Sequence, residues 1–415
     1  IIRITGQSLI TLTHSSSVRA TFNSVVNGMR RSTGSATLLR IAQRSPSHQI
    51  VRYPPPRNPE GETMRKLILA VAILATVSAR AEQKNVQLLT NLSDSQIGLV
   101  MNDMSASLGV HCDFCHVFNE QTKSLDFPND AKDEKKTGRE MIKLVLDLNE
   151  KNFHGRPIVG CYTCHLGKEH PSTVVALPMP PSAPTKTHEA EEAEHKAYPS
   201  AKDVVAKYIT AIGGEAAAKK LATSSMTATG TRTDLAGRST PIEVFNAGGK
   251  TFVRSTPAEG PVASQMISAD SAWMQGRQGV RTMSGADAAT SYLFARAYLP
   301  VTSLPEKSSV FNKETIDGHE TWAVGSQIDE HTRQRVWFDA TTGLAVRRVI
   351  TIDSPVGRIP TQTDFDDYRD VNGVKVPFTV KVSSVNGGQN ATRKYTSIEL
   401  GKLVDEKLFE APKPQ

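Results

Sequence analysis

The chain has 415 residues, 38% hydrophobic and 22% charged, a composition that builds two or three packed cores and excludes a disordered polymer. The formal net charge is +7, but it is concentrated at one end. Residues 1–81 hold eleven Lys/Arg against two acids, a net of +9 that leaves −2 for 82–415. The folded part therefore lacks a basic excess, which excludes nucleic acid as a partner.

The basic end has an internal signal, MRKLILAVAILATVSARAEQ, starting at Met64. Arg65 and Lys66 precede an apolar run too short to span a bilayer, and Ala79-Arg80-Ala81 supplies a small-x-small cleavage site. Residues 64–81 are read as a signal peptide cleaved before Glu82. No cysteine lies near that site, so no lipid anchor is expected, and the mature chain is expected to carry no transmembrane helix. The expected location is periplasmic or otherwise extracytoplasmic. Residues 1–63 begin with Ile and are rich in Arg and Ser. They are read as an upstream or non-structural leader, with an organelle transit peptide as the alternative.

Residues 82–170 show a weak repeat: helix, connection, C-x-x-C-H. Ser93 and Gln96 predict a reciprocal cap, Ile97, Val100, Met101, Met104 and Leu108 recur at helical spacing, and Gly109 ends the helix. HCDFCH follows at 111–116. In the second half Thr137 and Glu140 predict a cap, and Met141, Leu144, Val145 and Leu148 form the apolar stripe. CYTCH follows at 161–165. The charged segment from Asp126 to Lys136 is expected to be a solvated loop.

All four cysteines, Cys112, Cys115, Cys161 and Cys164, fall in these two motifs. A c-type haem is held by thioethers from both cysteines, and the following His ligates the iron. On that reading His116 and His165 are the two proximal ligands. A Cys₄ zinc site would use the same cysteines but leave each His unexplained. A redox dithiol usually follows a strand in a βαβ unit, which is not apparent here. A sixth ligand is sought in Met101 or Met104 for the first motif and Met141 for the second, with His111, His154 and His170 also available. Each Met is otherwise a core residue on an apolar helix face.

Residues 171–200 are rich in Pro, Ala and Glu and read as a partly extended linker. Residues 201–415 open with a helix, AKDVVAKYITAIGG. Seven strands follow: SMTATGTRTD, PIEVFNAG, KTFVRST, ETWAVGSQID, RQRVWFDA, LAVRRVITID and VKVPFTVKVSSV. A helical insert is expected over about 285–298. The acidic run TDFDDYRD lacks the ligand series of a calcium loop and is read as a solvated turn before the next strand. Trp273, Trp322 and Trp337 are expected to pack in the sheet core.

Two runs carry a resemblance. LVMNDMSASLGVHCDFCHV and KKTGREMIKLVLDLNEKNFHGRPIVGCYTCHLG resemble the photosynthetic reaction centre cytochrome c subunit family, in particular its short dihaem relatives, over roughly 84–170. The resemblance implies that each helix donates a Met to the iron: Met101 opposite His116 and Met141 opposite His165. Full reaction-centre subunits carry four haems, and two motifs are present here. VWFDATTGLAVRR, TDFDDYRDVNGVKVPFTV and KLFEAP are similar to lipoprotein-carrier half-barrels, a curved antiparallel sheet with helices across its concave face.

The expected fold class is α+β: a small helical dihaem domain at 82–170, then an antiparallel half-barrel-like domain at 201–415. The expected cofactors are two covalent haem c groups. The expected role is electron carriage between a redox protein donor and acceptor rather than catalysis, with the haems close enough to exchange electrons. Two alternatives stand: a haem-dependent oxidoreductase or its electron-entry domain, and a β domain that holds a lipid or peptide beside a redox-reporting haem module.

Overall fold

The computed structural model describes residues 85–413 except 176 and 180–186. The leader, the export signal and its cleavage site lie outside the described residues.

Helix α1 (Asp94–Leu108) begins and ends as its sequence dictates. Gln96 N donates to Ser93 Oγ at 3.4 Å, and Ser93 N donates to Gln96 Oε1 at 2.9 Å. These bonds occupy two backbone donors that no helical turn can satisfy. Gly109 terminates the helix in the left-handed region at φ 69°.

The two motifs form single turns, α2 (Cys112–Cys115) and α4 (Cys161–His165). Between them lie a short hairpin, β1 (Val117–Asn119) with β2 (Ser124–Asp126), and the long helix α3 (Asp133–Phe153). The expected solvated loop from 126 to 136 is corrected here: the helix starts before Thr137, which lies inside it. Asp133 and Glu134 occupy its first turn, where negative charge complements the helix dipole. Asp130, just upstream, binds Lys135 at 2.7 Å and Arg139 at 2.9 Å. The charges sit on an exposed helix start, not on a loop.

The expected extended linker also contains a helix, α5 (His188–Lys196). Thr187 Oγ1 accepts from Ala190 N at 3.2 Å, and Glu192 pairs with His188 and Lys196 at i±4. Ala and Glu favour helix even without an apolar stripe. After α6 (Ala201–Ala211) and α7 (Glu215–Thr223) the chain becomes almost entirely strand.

Thirteen antiparallel strands form one sheet. The first six are β3 (Met226–Asp234), β4 (Ser239–Ala247), β5 (Lys250–Ser255), β6 (Ala263–Ile267), β7 (Ser271–Gly276) and β8 (Gly279–Ser284). Helix α8 (Gly285–Ala297) then carries the chain from one sheet edge to the other. The remaining strands are β9 (Ser308–Ile316), β10 (His319–Gln327), β11 (Thr332–Asp339), β12 (Ala345–Ser354), β13 (Gly357–Val371), β14 (Val374–Ser384) and β15 (Ala391–Leu400). The two meanders meet where β15 pairs with β3, so among the described residues β8 and β9 are the edges.

All seven expected strands and the helical insert are present, and six further strands, β6–β9, β13 and β15, join them. The TDFDDYRD run, expected to be a turn, lies inside β13. Its Phe365 and Tyr368, three residues apart, both pack on the main core, because Asp367 at φ 55° is left unpaired in the register with β14. Its acids face outward: Asp364 binds Arg347 at 2.5 Å and Asp367 binds Arg369 at 2.6 Å. Burial of Phe365 and Tyr368 holds the run in the strand, and local charge pairs make its acids compatible with solvent.

One sheet face carries the main core. Val204, Tyr208, Ile212 and Leu221 from α6, its C-terminal cap and α7 pack on Val244, Val336, Phe338 and Val380. The Tyr208 hydroxyl donates to the Val301 carbonyl at 2.5 Å, satisfying a buried polar group. Ala288 of α8 packs with Ile267 and Ala272 on the same face. On the opposite face Trp273, Phe252 and Met266 cover Phe409 near the C-terminus. Trp273 and Trp337 are buried, and Trp322 is half-buried against the main core.

The helical region and the sheet share a core. Val356, at the tip between β12 and β13, and Ile359 are 0% and 1% exposed. They pack with Leu89, Leu99, Val100 and Ile142, flanked by Met101, Met104 and Phe294. Ser95 N also donates to Asp287 Oδ1 at 2.7 Å, joining the start of α1 to the start of α8.

Candidate haem sites

The first motif opens onto a cavity of about 620 Å³, within the range of small-molecule and cofactor pockets. Cys112, Cys115 and His116 line it together with Met101 and Met104 of α1. Ile97, Leu108 and Ile142 add apolar wall. The first two turns of α3 reach in through Lys135 and Arg139, so the cavity is apolar in body with cationic groups at one part of its lining.

Local bonds fix the motif. His116 N donates to the Cys112 carbonyl at 3.0 Å, keeping α2 a closed turn. Lys132 Nζ donates to the carbonyls of Asp113 and Phe114. These satisfy helix-end acceptors that a four-residue helix leaves free. Phe127 stacks edge-on against the His116 ring, centroids 5.0 Å apart. Burial lowers the basicity of His116, and the Lys135 charge adds to that. A neutral imidazole is the form that ligates a metal. His116 Nδ1 is buried without a hydrogen bond of normal geometry, although the Phe127 backbone lies near enough to favour protonation.

The second motif is built differently. Asn149 of α3 clamps the strand-like approach: its Nδ2 donates to the Val159 carbonyl at 2.8 Å and its Oδ1 accepts from Val159 N at 3.0 Å. Gly160 then meets the β12–β13 turn. A side chain there would come within 2.9 Å of Gly357 Cα, so two glycines allow the close approach. His165 Nδ1 lies 3.0 Å from the Lys168 carbonyl. That bond selects the Nδ1–H tautomer and leaves Nε2 free for a metal. Met141 is 41% exposed, and with exposed Leu144 and Leu148 it forms an apolar stripe on α3. Tyr162 and Leu166, exposed beside the second motif, add further apolar surface.

The two motifs touch through their flanks. Gly167 N donates to the Ser107 carbonyl at 2.8 Å. A Cβ on Gly109 would collide with the Gly167 carbonyl, and Gly109 holds a positive φ besides. Gly109→Ala is therefore expected to destabilise the protein by about 2–4 kcal/mol, from left-handed strain plus backbone displacement. Urea unfolding of the purified variant measures this; an unchanged midpoint contradicts the packing.

These residues fit covalent haem better than the alternatives. Among the described residues no three His, Cys, Asp or Glu side chains converge to hold a metal ion, so a shared Cys₄ zinc site is not formed. A reactive dithiol depends on a lowered thiol pKa. Here burial pushes the Cys115 thiol up, and burial with nearby Asp103 pushes Cys161 up to about 11. Asp103 is itself buried on α1, and burial raises its carboxyl to about 6.

The sequence-derived site residues thus occupy two places. Met101, Met104, Cys112, Cys115 and His116 line one cavity. Cys161, Cys164 and His165 lie on α4 against α1, and Met141 stands outside the cavity on α3. His111 also lines the cavity; His154 caps α3, and His170 is exposed beside Glu169. Phe127, Lys132, Asn149, Gly160 and Gly167 were not anticipated. The paired glycines were the available signal.

Residues 63–216 match the model of the photosynthetic reaction centre cytochrome C subunit family. Cytochrome c-554 of Chloroflexus aurantiacus is 36% identical over 88 residues, which is 20% of this chain and 20% of that protein. The chain thus spans about a fifth of that relative. A LolA superfamily protein of Nitrosomonas europaea matches 51% of this chain and 98% of its own, at 11% identity and TM-score 0.34. A DUF1329 family protein of Desulfovibrio piger matches 50% and 97%, at 15% identity and TM-score 0.34. Among the described residues no helix is long and apolar enough to cross a membrane.

Proposed function

We propose that the protein, whose residues 63–216 match the photosynthetic reaction centre cytochrome C subunit family, is an exported dihaem electron carrier with Met/His-ligated irons. The observation that carries this reading is the single cavity that Met101 shares with Cys112, Cys115 and His116. A bound haem supplies a one-electron couple there, held by the two thiols of each motif. His116 and His165 would hold the two irons, and the Lys168 carbonyl orients the His165 ring. Ile97, Leu108 and Ile142 line the first site with apolar wall, and Met141, Leu144 and Leu148 form the exposed apolar stripe of α3 from which Met141 would serve the second. With Met101 and His116 holding one haem and Met141 and His165 the other, the bound groups would supply electron transfer rather than chemistry at an open position. Contact between Gly109 and Gly167 supports haems close enough to exchange electrons.

Met101 and Met104 both reach the cavity, but Met104 also faces Gly138 of α3. Met101 is assigned as the ligand. Met101→Ala is expected to lower the potential of one haem and Met141→Ala that of the other, because an axial Met raises it. Met104→Ala is expected to leave both unchanged. Spectroelectrochemical titration reads each couple. If Met104→Ala alone shifts a potential, the assignment moves to Met104; if no variant does, Met ligation fails.

A further inference from the structure

The register of β3 and β15 places Arg232 directly opposite Arg393, on the sheet face that also carries the helices. Like charges directly opposite on neighbouring strands destabilise a sheet. Arg393 is nonetheless only 6% exposed, and among the described residues neither arginine has an ion pair with a carboxylate. The nearest acid along that face of β3 is Asp234, which is taken up by Arg238 at 2.7 Å.

The surroundings compound the problem. Tyr298, just past α8, lies under the Arg393 guanidinium at 3.6 Å. Its hydroxyl donates to the Gln389 carbonyl at 3.0 Å and lies within hydrogen-bonding reach of Arg232. Arg232 also donates to the Gly388 carbonyl at 2.9 Å. Yet Arg393 Nε, the Tyr395 hydroxyl and Gln389 Oε1 are all buried without a partner. Tyr395 stands two residues from Arg393 on the same face of β15. Two of these three are donors that want an acceptor. Cation–π stacking on Tyr298 offsets part of the cost of burying Arg393, but it leaves Nε unsatisfied. A buried cation without a counter-charge is a strongly unfavourable arrangement unless an anion completes it.

We propose that Arg232, Arg393 and Tyr395 form a receptor for a ligand bearing an oxyanion, a carboxylate or phosphate group. The oxyanion accepts from the Arg393 guanidinium and the Tyr395 hydroxyl and relieves the repulsion between the two arginines. This site stands apart from the haem cavity and does not depend on the electron-transfer reading.

The test uses the full-length, haem-loaded protein and three probes: inorganic phosphate, acetate and decanoate, titrated by calorimetry at low salt. At least one probe is expected to bind and to raise the thermal midpoint, with affinity falling as salt rises. Binding of phosphate or acetate identifies a free small anion as the ligand; binding of decanoate alone identifies the head group of an amphiphile. Arg393→Met is expected to weaken binding at least tenfold while leaving the ligand-free thermal midpoint unchanged or higher, since it removes an unpaired buried charge. Arg232→Gln, at a half-buried position, tests the second arginine with less risk to folding, and is expected to weaken the same probe several-fold. No binding of any probe at millimolar concentration overturns the proposal, as does binding that both variants leave intact.

Discussion

Protein in which Cys161 and Cys164 are both alanine is expected to carry one covalent haem fewer than the parent chain while retaining the haem of the first motif. The reciprocal pair, Cys112→Ala with Cys115→Ala, is expected to retain only the second. Each motif is a closed turn of four or five residues with its own supports: Lys132 on the carbonyls of α2, and Asn149 with Lys168 around α4. Attachment chemistry is local to each turn. The measurement is intact mass with a pyridine haemochrome assay, on protein made with the haem-attachment machinery. Loss of both haems from either double variant contradicts independent seats, and a parent mass with zinc and no haem overturns the cytochrome reading.

The second large effect lies outside the motifs. Val356→Asp is expected to cost about 4 kcal/mol or more, because it puts an unpaired carboxylate into a fully buried apolar position. Val356 belongs to the β12–β13 turn, and its neighbours are Leu89, Leu99, Val100 and Ile142 of the haem-bearing region. The loss should therefore appear in the haem spectrum as well as in the sheet. Urea unfolding followed separately by haem absorption and by far-UV circular dichroism is the check. A haem transition that stays at its parental midpoint while the sheet melts early shows two independent units and refutes the shared core.

Some of this architecture was legible residue by residue. The Ser93/Gln96 cap, the Gly109 stop and the two C-x-x-C-H turns are local: each depends on groups within a few residues, so pattern suffices. Seven strands were visible because they are rich in β-branched and aromatic residues and bounded by turn signals. β13 was not, since TDFDDYRD concentrates charge in a strand whose acids are answered by Arg347 on the neighbouring strand and Arg369 within it. The helix start at Asp133 was missed for a similar reason. Its Lys135 and Arg139 pair with Asp130, a contact that only the folded helix brings together.

What the sequence determined by itself is the chemistry: four cysteines in two motifs, each followed by histidine, with methionines on preceding helices. Covalent attachment and ligand type depend on residue identity and short spacing, and these survive any arrangement of the rest. What only the tertiary structure decided is which distant groups face one another. Met101 and Met104 enter one cavity, Gly160 meets Gly357, Val356 enters the helical core, and Arg232 lies opposite Arg393. Each of these depends on strand register or on a close backbone approach. Register is set by the summed packing of a whole sheet face, a quantity that no short stretch of sequence contains.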